Sequence, residues 1–267
     1  MLNRIIRGVF KRNNPCKSLN NNINIKCYRM MSSPSLWGER TIKWLEDETT
    51  KHMNDHESDY DFNIPFLDNN AVNRQAIITP CVEQATSSWL IDEMLRRKYK
   101  VTGIAVPSAN MDFLKNRFDM KKTDETKAKI TYNNTEIDIL KLESKEPHLI
   151  VEQRPVETFD VNNINMYEHY DVVFDEQPLL SYFDVDKSAY KMNDLCNTTI
   201  FGHSLKIGGI LYLNVEGAKN YKERAKLMAK IESFYPSTHF VLINSRRTPW
   251  TRQFLFLKAD TTIQPLS

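Results

Sequence analysis

Between residues 74 and 258, short apolar runs rich in β-branched residues alternate with stretches whose apolar positions recur every three or four residues. The first pattern is that of buried strands, the second that of amphipathic helices. RQAIIT (74–79) predicts a strand. Residues 86–98 predict a helix, with Trp89, Leu90, Met94 and Leu95 on one face and Thr86 or Ser87 as its cap. KVTGIAV (100–106) predicts a second strand, and 108–118 a second helix with Ser108 as cap after Pro107. Residues 128–132, 136–141 and 148–152 read as short strands of a charged insertion. YDVVFD (170–175) reads as a fully buried strand, followed by a helix over 184–203. After the Gly208-Gly209 pair, 209–215 predicts the next strand and 219–233 a helix. The last two strands, 238–245 and 252–258, leave no room for a helix between them. Ahead of all this, 37–54 reads as a helical or irregular lead-in carrying Trp37 and Trp44.

Strands that alternate with helices build a parallel sheet with right-handed crossovers, and two adjacent strands at the end add an antiparallel hairpin. The expected fold is therefore α/β: a Rossmann-like methyltransferase fold, with a mostly parallel seven-stranded sheet and a C-terminal antiparallel hairpin. Ligands bind such sheets at the carboxyl ends of the strands. The informative loops are those after the first, second, third and fourth strands of the parallel core.

Those loops are unusual. An S-adenosylmethionine site needs close approach of the backbone after the first strand, which glycine permits. The loop here, PCVEQATSS, has none, and Glu83 adds a negative charge near the position of the cofactor carboxylate. Cys81 and Val82 line that turn. After the second strand, a carboxylate accepts both ribose hydroxyls in such enzymes. Ile104 and Ala105 stand there instead, and loss of the paired acceptor costs about 1.5–3 kcal/mol. After the fourth strand, Asp175 precedes Glu176 and is the candidate catalytic carboxylate if chemistry survives.

Charge is distributed unevenly. No acidic residue precedes Glu39, whereas Arg4, Arg7, Lys11, Arg12, Lys17, Lys26 and Arg29 do; against +2 for the whole chain, the remainder carries −5. Leu2, Ile5, Ile6, Val9 and Phe10 form one apolar helical stripe among these cations. An Arg-rich, acid-free amphipathic start has the pattern of a mitochondrial transit peptide; a basic tail or a helix resting on an anionic membrane are its alternatives. The expected division is 1–36 as transit peptide and linker and 37–267 as the methyltransferase-like domain, located in the mitochondrial matrix or on a matrix-facing membrane complex. No apolar run is long enough to predict a transmembrane helix. Of the four cysteines, Cys16 and Cys27 lie in the leader, and Cys81 and Cys196 form no metal-binding spacing, so no metal is expected. Arg246, Arg247, Trp250 and Arg252 form the one basic–aromatic cluster; the acidic body argues against nucleic acid as a partner.

Several segments together resemble the thiopurine S-methyltransferase family. KWLEDETTKH (43–52) matches its Lys-Trp-x4-Thr-x2-His spacing, KVTGIAV its second strand, ETFD (157–160) its third-strand loop and YDVVFDEQPLL (170–180) its fourth strand. LKIGGILYL (205–213) matches its next strand. The resemblance implies S-adenosylmethionine as the cofactor, with Trp44 stacked on it, Glu157 and Thr158 beside the adenine, and His52 in a lid. Three departures stand against retained activity: the glycine-free first loop, Ala105 in place of the family's glutamate, and Glu176 in place of its arginine. The expected function is a catalytically inactive structural or accessory module with protein partners in a mitochondrial assembly. The alternative is an active methyltransferase acting on a small-molecule acceptor.

Overall fold

The computed structural model describes residues 34–68, 70–79, 85–105, 111–122, 129–132, 135–144, 148–154, 168–175, 204–216, 221–235, 237–248 and 251–259. The predicted helix 184–203 and the basic leader before residue 34 lie outside them, as do Cys81, Val82, Glu157, Thr158 and the Ser108 cap.

The strands in chain order are β1 (Gln75–Thr79), β2 (Lys100–Ala105), β3 (Lys121–Lys122), β4 (Lys129–Tyr132), β5 (Thr135–Asp138), β6 (Leu140–Glu143), β7 (Leu149–Gln153), β8 (Tyr170–Asp175), β9 (Leu205–Glu216), β10 (Phe240–Arg247) and β11 (Thr251–Lys258). The described helices are α1 (Pro34–Asp55), α2 (Ala85–Arg96), α3 (Asp112–Phe118) and α4 (Tyr221–Phe234). Among the described residues, nine strands form one sheet in the order β10-β11-β9-β8-β1-β2-β7-β6-β3. From β9 through β8, β1 and β2 to β7 the pairing is parallel. In β1 and β8 nearly every position is buried, as expected of strands covered on both faces. Counting only the core strands, this is the order of a class I methyltransferase sheet, with β11 inserted antiparallel between β9 and β10.

The expected seven mostly parallel strands are therefore corrected to nine in a mixed sheet. The insertion is smaller than expected, because 149–153 is the third parallel strand of the core, in register with β2 (Gly103 opposite Val151). β6 and β3 extend the sheet antiparallel beyond it, and β4–β5 is a separate hairpin. The alternation in 136–141 conceals a break between β5 and β6. The fifth core strand also starts earlier than expected. It begins at Leu205 and runs through both glycines; Gly208 has φ +78° where the register of β8 against β9 slips. A Cβ at Gly208 would stand 2.6 Å from the Asn63 carbonyl oxygen, so this bulge needs glycine for its conformation and for its clearance.

Two apolar layers cover the sheet. On one face, Ile42 and Leu45 of α1, Leu90, Ile91 and Met94 of α2 and Leu114 of α3 pack against Ile78, Ala105, Phe174, Tyr212 and Leu255. On the other, Ile231 and Tyr235 pack against Ile77, Val173, Leu213 and Phe254. The α1 stripe of Gly38, Thr41, Ile42, Leu45 and Thr49 has helical spacing and is buried. Gly38 lets α1 approach α2 so closely that a Cβ would stand 2.5 Å from the Trp89 carbonyl oxygen. Helix α2 ends two residues before the predicted 98 because Lys98 turns left-handed (φ +64°) and the Tyr99 N–H returns to the Met94 carbonyl, closing the helix.

A charged cluster joins α1 to α2. Glu93, 6 % exposed, accepts from Arg96 (2.6 Å) and Arg97 (2.7 Å), and Arg97 also pairs with Glu46 of α1. Burial alone raises the pKa of Glu93, but the hydrogen bonds and charges of the two arginines outweigh it and hold the group below its ordinary 4.5. A depressed carboxylate stabilises the fold above its unfolded pKa, and that contribution is lost as pH falls through the folded value. Glu93→Gln is expected to cost about 1.5–3 kcal/mol near neutral pH. It should also flatten the acid limb of stability below pH 4.5, read by urea unfolding at a series of pH values.

Candidate functional site

The crevice in such a sheet opens at the carboxyl ends of the parallel strands, where the order reverses. That point lies between β1 and β8, whose last residues, Thr79 and Asp175, are register partners and each 2 % exposed. Asp175 is thus placed where a catalytic or cofactor-contacting carboxylate could stand. Strand alternation sends Phe174 to the α1 face, where its ring lies 5.8 Å from that of Tyr212. Asp175 alternates to the α4 side. Burial, and then the charge of Asp175, raise the pKa of the Tyr235 phenol there.

The end of β2 is apolar. Ile104 is 1 % exposed and packs with Ile77 and Val173; Ala105 is fully buried in the opposite layer. The Ala105 carbonyl accepts the Arg154 N–H at 2.9 Å. Arg154, at the end of β7, is itself paired with Glu152 at 3.0 Å. Among the described residues, no carboxylate stands at the end of β2 to receive a ribose.

Trp44 projects from α1 on the face that carries Tyr212. Its ring meets the Tyr212 ring edge-on with 6.5 Å between centroids. The Arg246 guanidinium of β10 lies 4.0 Å from the Trp44 centroid. Arg246 Nε donates to the Gln253 side chain of β11, which is 2 % exposed. Burial lowers the Arg246 pKa, against the opposing effects of Tyr212 and Glu48. One face of the indole is thus occupied by a cation of the chain itself. Trp44 and Asp175, both singled out from the sequence, lie on opposite faces of the sheet and are not brought together. Their neighbours Tyr212 and Gln253 were not assigned to a site, and Arg246 was read only as part of the basic–aromatic cluster; more than 150 residues separate each from Trp44, and no local spacing signals the contact.

The remaining expectations divide. Arg246 and Arg252 belong to the structure of the hairpin rather than to a free basic patch: Arg252 donates to Ser245 at 3.3 Å and lies over Phe254. His52 is half-buried, shares a 2.7 Å hydrogen bond with Tyr60 and faces His56 at 4.7 Å between rings. Burial, then the neighbouring His56, lower its pKa. Cys81, Val82, Glu157 and Thr158 lie outside the described residues, as do Glu83, Glu176 and Trp250. No described group of three His, Cys, Asp or Glu residues could hold a metal, and no described helix is long and apolar enough to cross a membrane. A double-mutant cycle of Trp44→Leu and Arg246→Met is expected to show a coupling of about 1 kcal/mol in thermal unfolding. Additive effects would mean that the stack contributes nothing.

No protein-family model and no curated protein matches the chain. Among solved structures, it is similar to Burkholderia thailandensis 1,6-didemethyltoxoflavin-N1-methyltransferase, at 10 % identity over 70 % of this chain and 72 % of that one, TM-score 0.44. It is also similar to human methyltransferase-like protein 13 in complex with S-adenosylhomocysteine, at 13 % identity over 83 % and 85 %, TM-score 0.44. A third is the 16S rRNA (adenine(1408)-N(1))-methyltransferase of Catenulisporales acidiphilia, at 9 % identity over 71 % and 86 %, TM-score 0.40. Likeness at this distance carries no information about substrate, and the fold assignment rests on the strand order of the sheet itself.

Proposed function

We propose that the chain is a catalytically silent member of the methyltransferase fold, retained as a structural or accessory module in a mitochondrial assembly. One observation carries this reading. The end of β2, where the ribose of S-adenosylmethionine needs a carboxylate, holds Ala105, fully buried in the core with its carbonyl already bonded to Arg154. An alanine methyl cannot accept two hydroxyl hydrogen bonds. Two further features support it. The loop after β1 contains no glycine and carries Glu83. One face of the indole of Trp44, the residue that would stack on an adenosyl group, is covered by Arg246. Loss of two such grips, at about 1.5–3 kcal/mol each, weakens binding about 100- to 10,000-fold. The finer likeness to thiopurine S-methyltransferase belongs to this proposal and rests on the order and spacing of 43–52, 100–106, 157–160, 170–180 and 205–213.

Location is the second part of the proposal, supported by the acid-free basic amphipathic start. It makes partners inside the organelle, not a diffusible acceptor, the expected ligands.

Calorimetry and thermal unfolding test the first part. With S-adenosylmethionine at about 1 mM, no saturable heat and no rise in Tm are expected, because a ligand far below its Kd adds no stability. A micromolar Kd that disappears in Trp44→Ala shows an intact cofactor site and overturns the argument from lost grips, and methyl transfer to a small-molecule acceptor would establish the alternative, an active methyltransferase. For the second part, residues 1–36 fused to a reporter should make it protease-protected in isolated mitochondria. A reporter that stays outside overturns the targeting.

A further inference from the structure

The opposite edge of the sheet, at the amino ends of the parallel strands, carries a groove of about 400 Å3 that the methyltransferase fold does not require. It crosses β8, β1, β2, β7 and β6 on one face. Lys100 pairs in register with Gln75, Thr102 with Ile150 and Lys141 with Glu152, so these side chains share that face. His148, which precedes β7, and His169, which precedes β8, close its ends. The volume lies within the range of small-ligand sites, about 300–1,000 Å3.

The charges in this groove are not balanced. Lys141 is paired with Glu143 at 2.7 Å, and Glu152, the carboxylate in the lining, with Arg154 at 3.0 Å. Lys206, beside His169, is paired with Asp171 at 2.7 Å, and Asp171 also accepts the Gln75 N–H. Lys100 has no acidic partner among the described residues, and the His148 and His169 rings bond to no described carboxylate. Three nitrogen donors, Lys100 of β2 and the histidines that precede β7 and β8, therefore line one groove together with Thr102.

We propose that this groove is a second ligand site, for a small molecule carrying a phosphate group, held by Lys100 and the imidazoles of His148 and His169. Separate point donors suit a phosphate, which offers three acceptor oxygens in three directions. A nucleic-acid backbone needs a track of uncompensated cations, and the two other lysines here are already neutralised.

The neighbours of His169 provide a readout. Burial lowers its pKa first, then the charge of Lys206; Asp171 opposes, and Lys100 lowers it further. A phosphate dianion in the groove reverses that balance and favours the imidazolium. The experiment is an NMR titration of His169 in the full-length protein, in inorganic phosphate and in sodium chloride of equal ionic strength. The His169 midpoint is expected to lie about one unit higher in phosphate. In Lys100→Met, a substitution at an exposed position, at least half of that increment should vanish. Equal midpoints in the two salts overturn the proposal, and so does an increment that survives intact in Lys100→Met. The S-adenosylmethionine measurement is independent of both outcomes, since that crevice lies at the other edge of the sheet.

Discussion

The pairing of β8 with β1 on one side and β9 on the other is the constraint on which everything else depends. β8 is buried at all six positions, so neither of its faces can slip toward solvent. At its amino end, Asp171 accepts both the Gln75 N–H and the Lys206 ammonium at 2.7 Å, which ties β8 to β1 and β9. Two donors satisfy this buried carboxylate, and removal of the lysine would leave a buried charge without its ionic partner. The same pairing fixes Thr79 beside Asp175 at the far end. Both the crevice at the carboxyl edge and the groove at the amino edge inherit their geometry from this strand.

The helices show how a sheet of this order is covered. α1 precedes the core in sequence yet supplies one of its largest apolar surfaces, and Gly38 and the Glu46–Arg97–Glu93 cluster set it against α2. Beyond that contact, its Trp44 reaches across to the β10–β11 hairpin through Arg246. One helix therefore couples the first part of the domain to the last. In the proposed reading, the side chains of the cofactor crevice have been taken over by this internal coupling.

Much of the fold was legible in the sequence because buried parallel strands read as continuous apolar runs. 170–175 is an example, matched residue for residue. Errors arose where pattern and pairing diverge. The 148–152 run is as short and charged as its neighbours, and only pairing with β2 makes it a core strand. Gly208 reads as a turn, whereas the chain uses its positive φ within a strand. For the site, Ala105 and Asp175 could be placed at strand ends from spacing alone. The engagement of Trp44 by Arg246 could not, because a cation–π contact across 202 positions leaves no local signature. Nor could the amino-edge groove, whose residues come from five strands and share no motif.

The order β10-β11-β9 has a consequence for the newborn chain. β10 leaves the ribosome before β11, the strand that joins it to the sheet. Without β11, both hydrogen-bonding rims of β10 are open and β9 has one rim unpaired. Such an exposed template invites wrong partners. Charge on an unpaired strand discourages foreign pairing, and Arg246 and Arg247 stand at the end of β10.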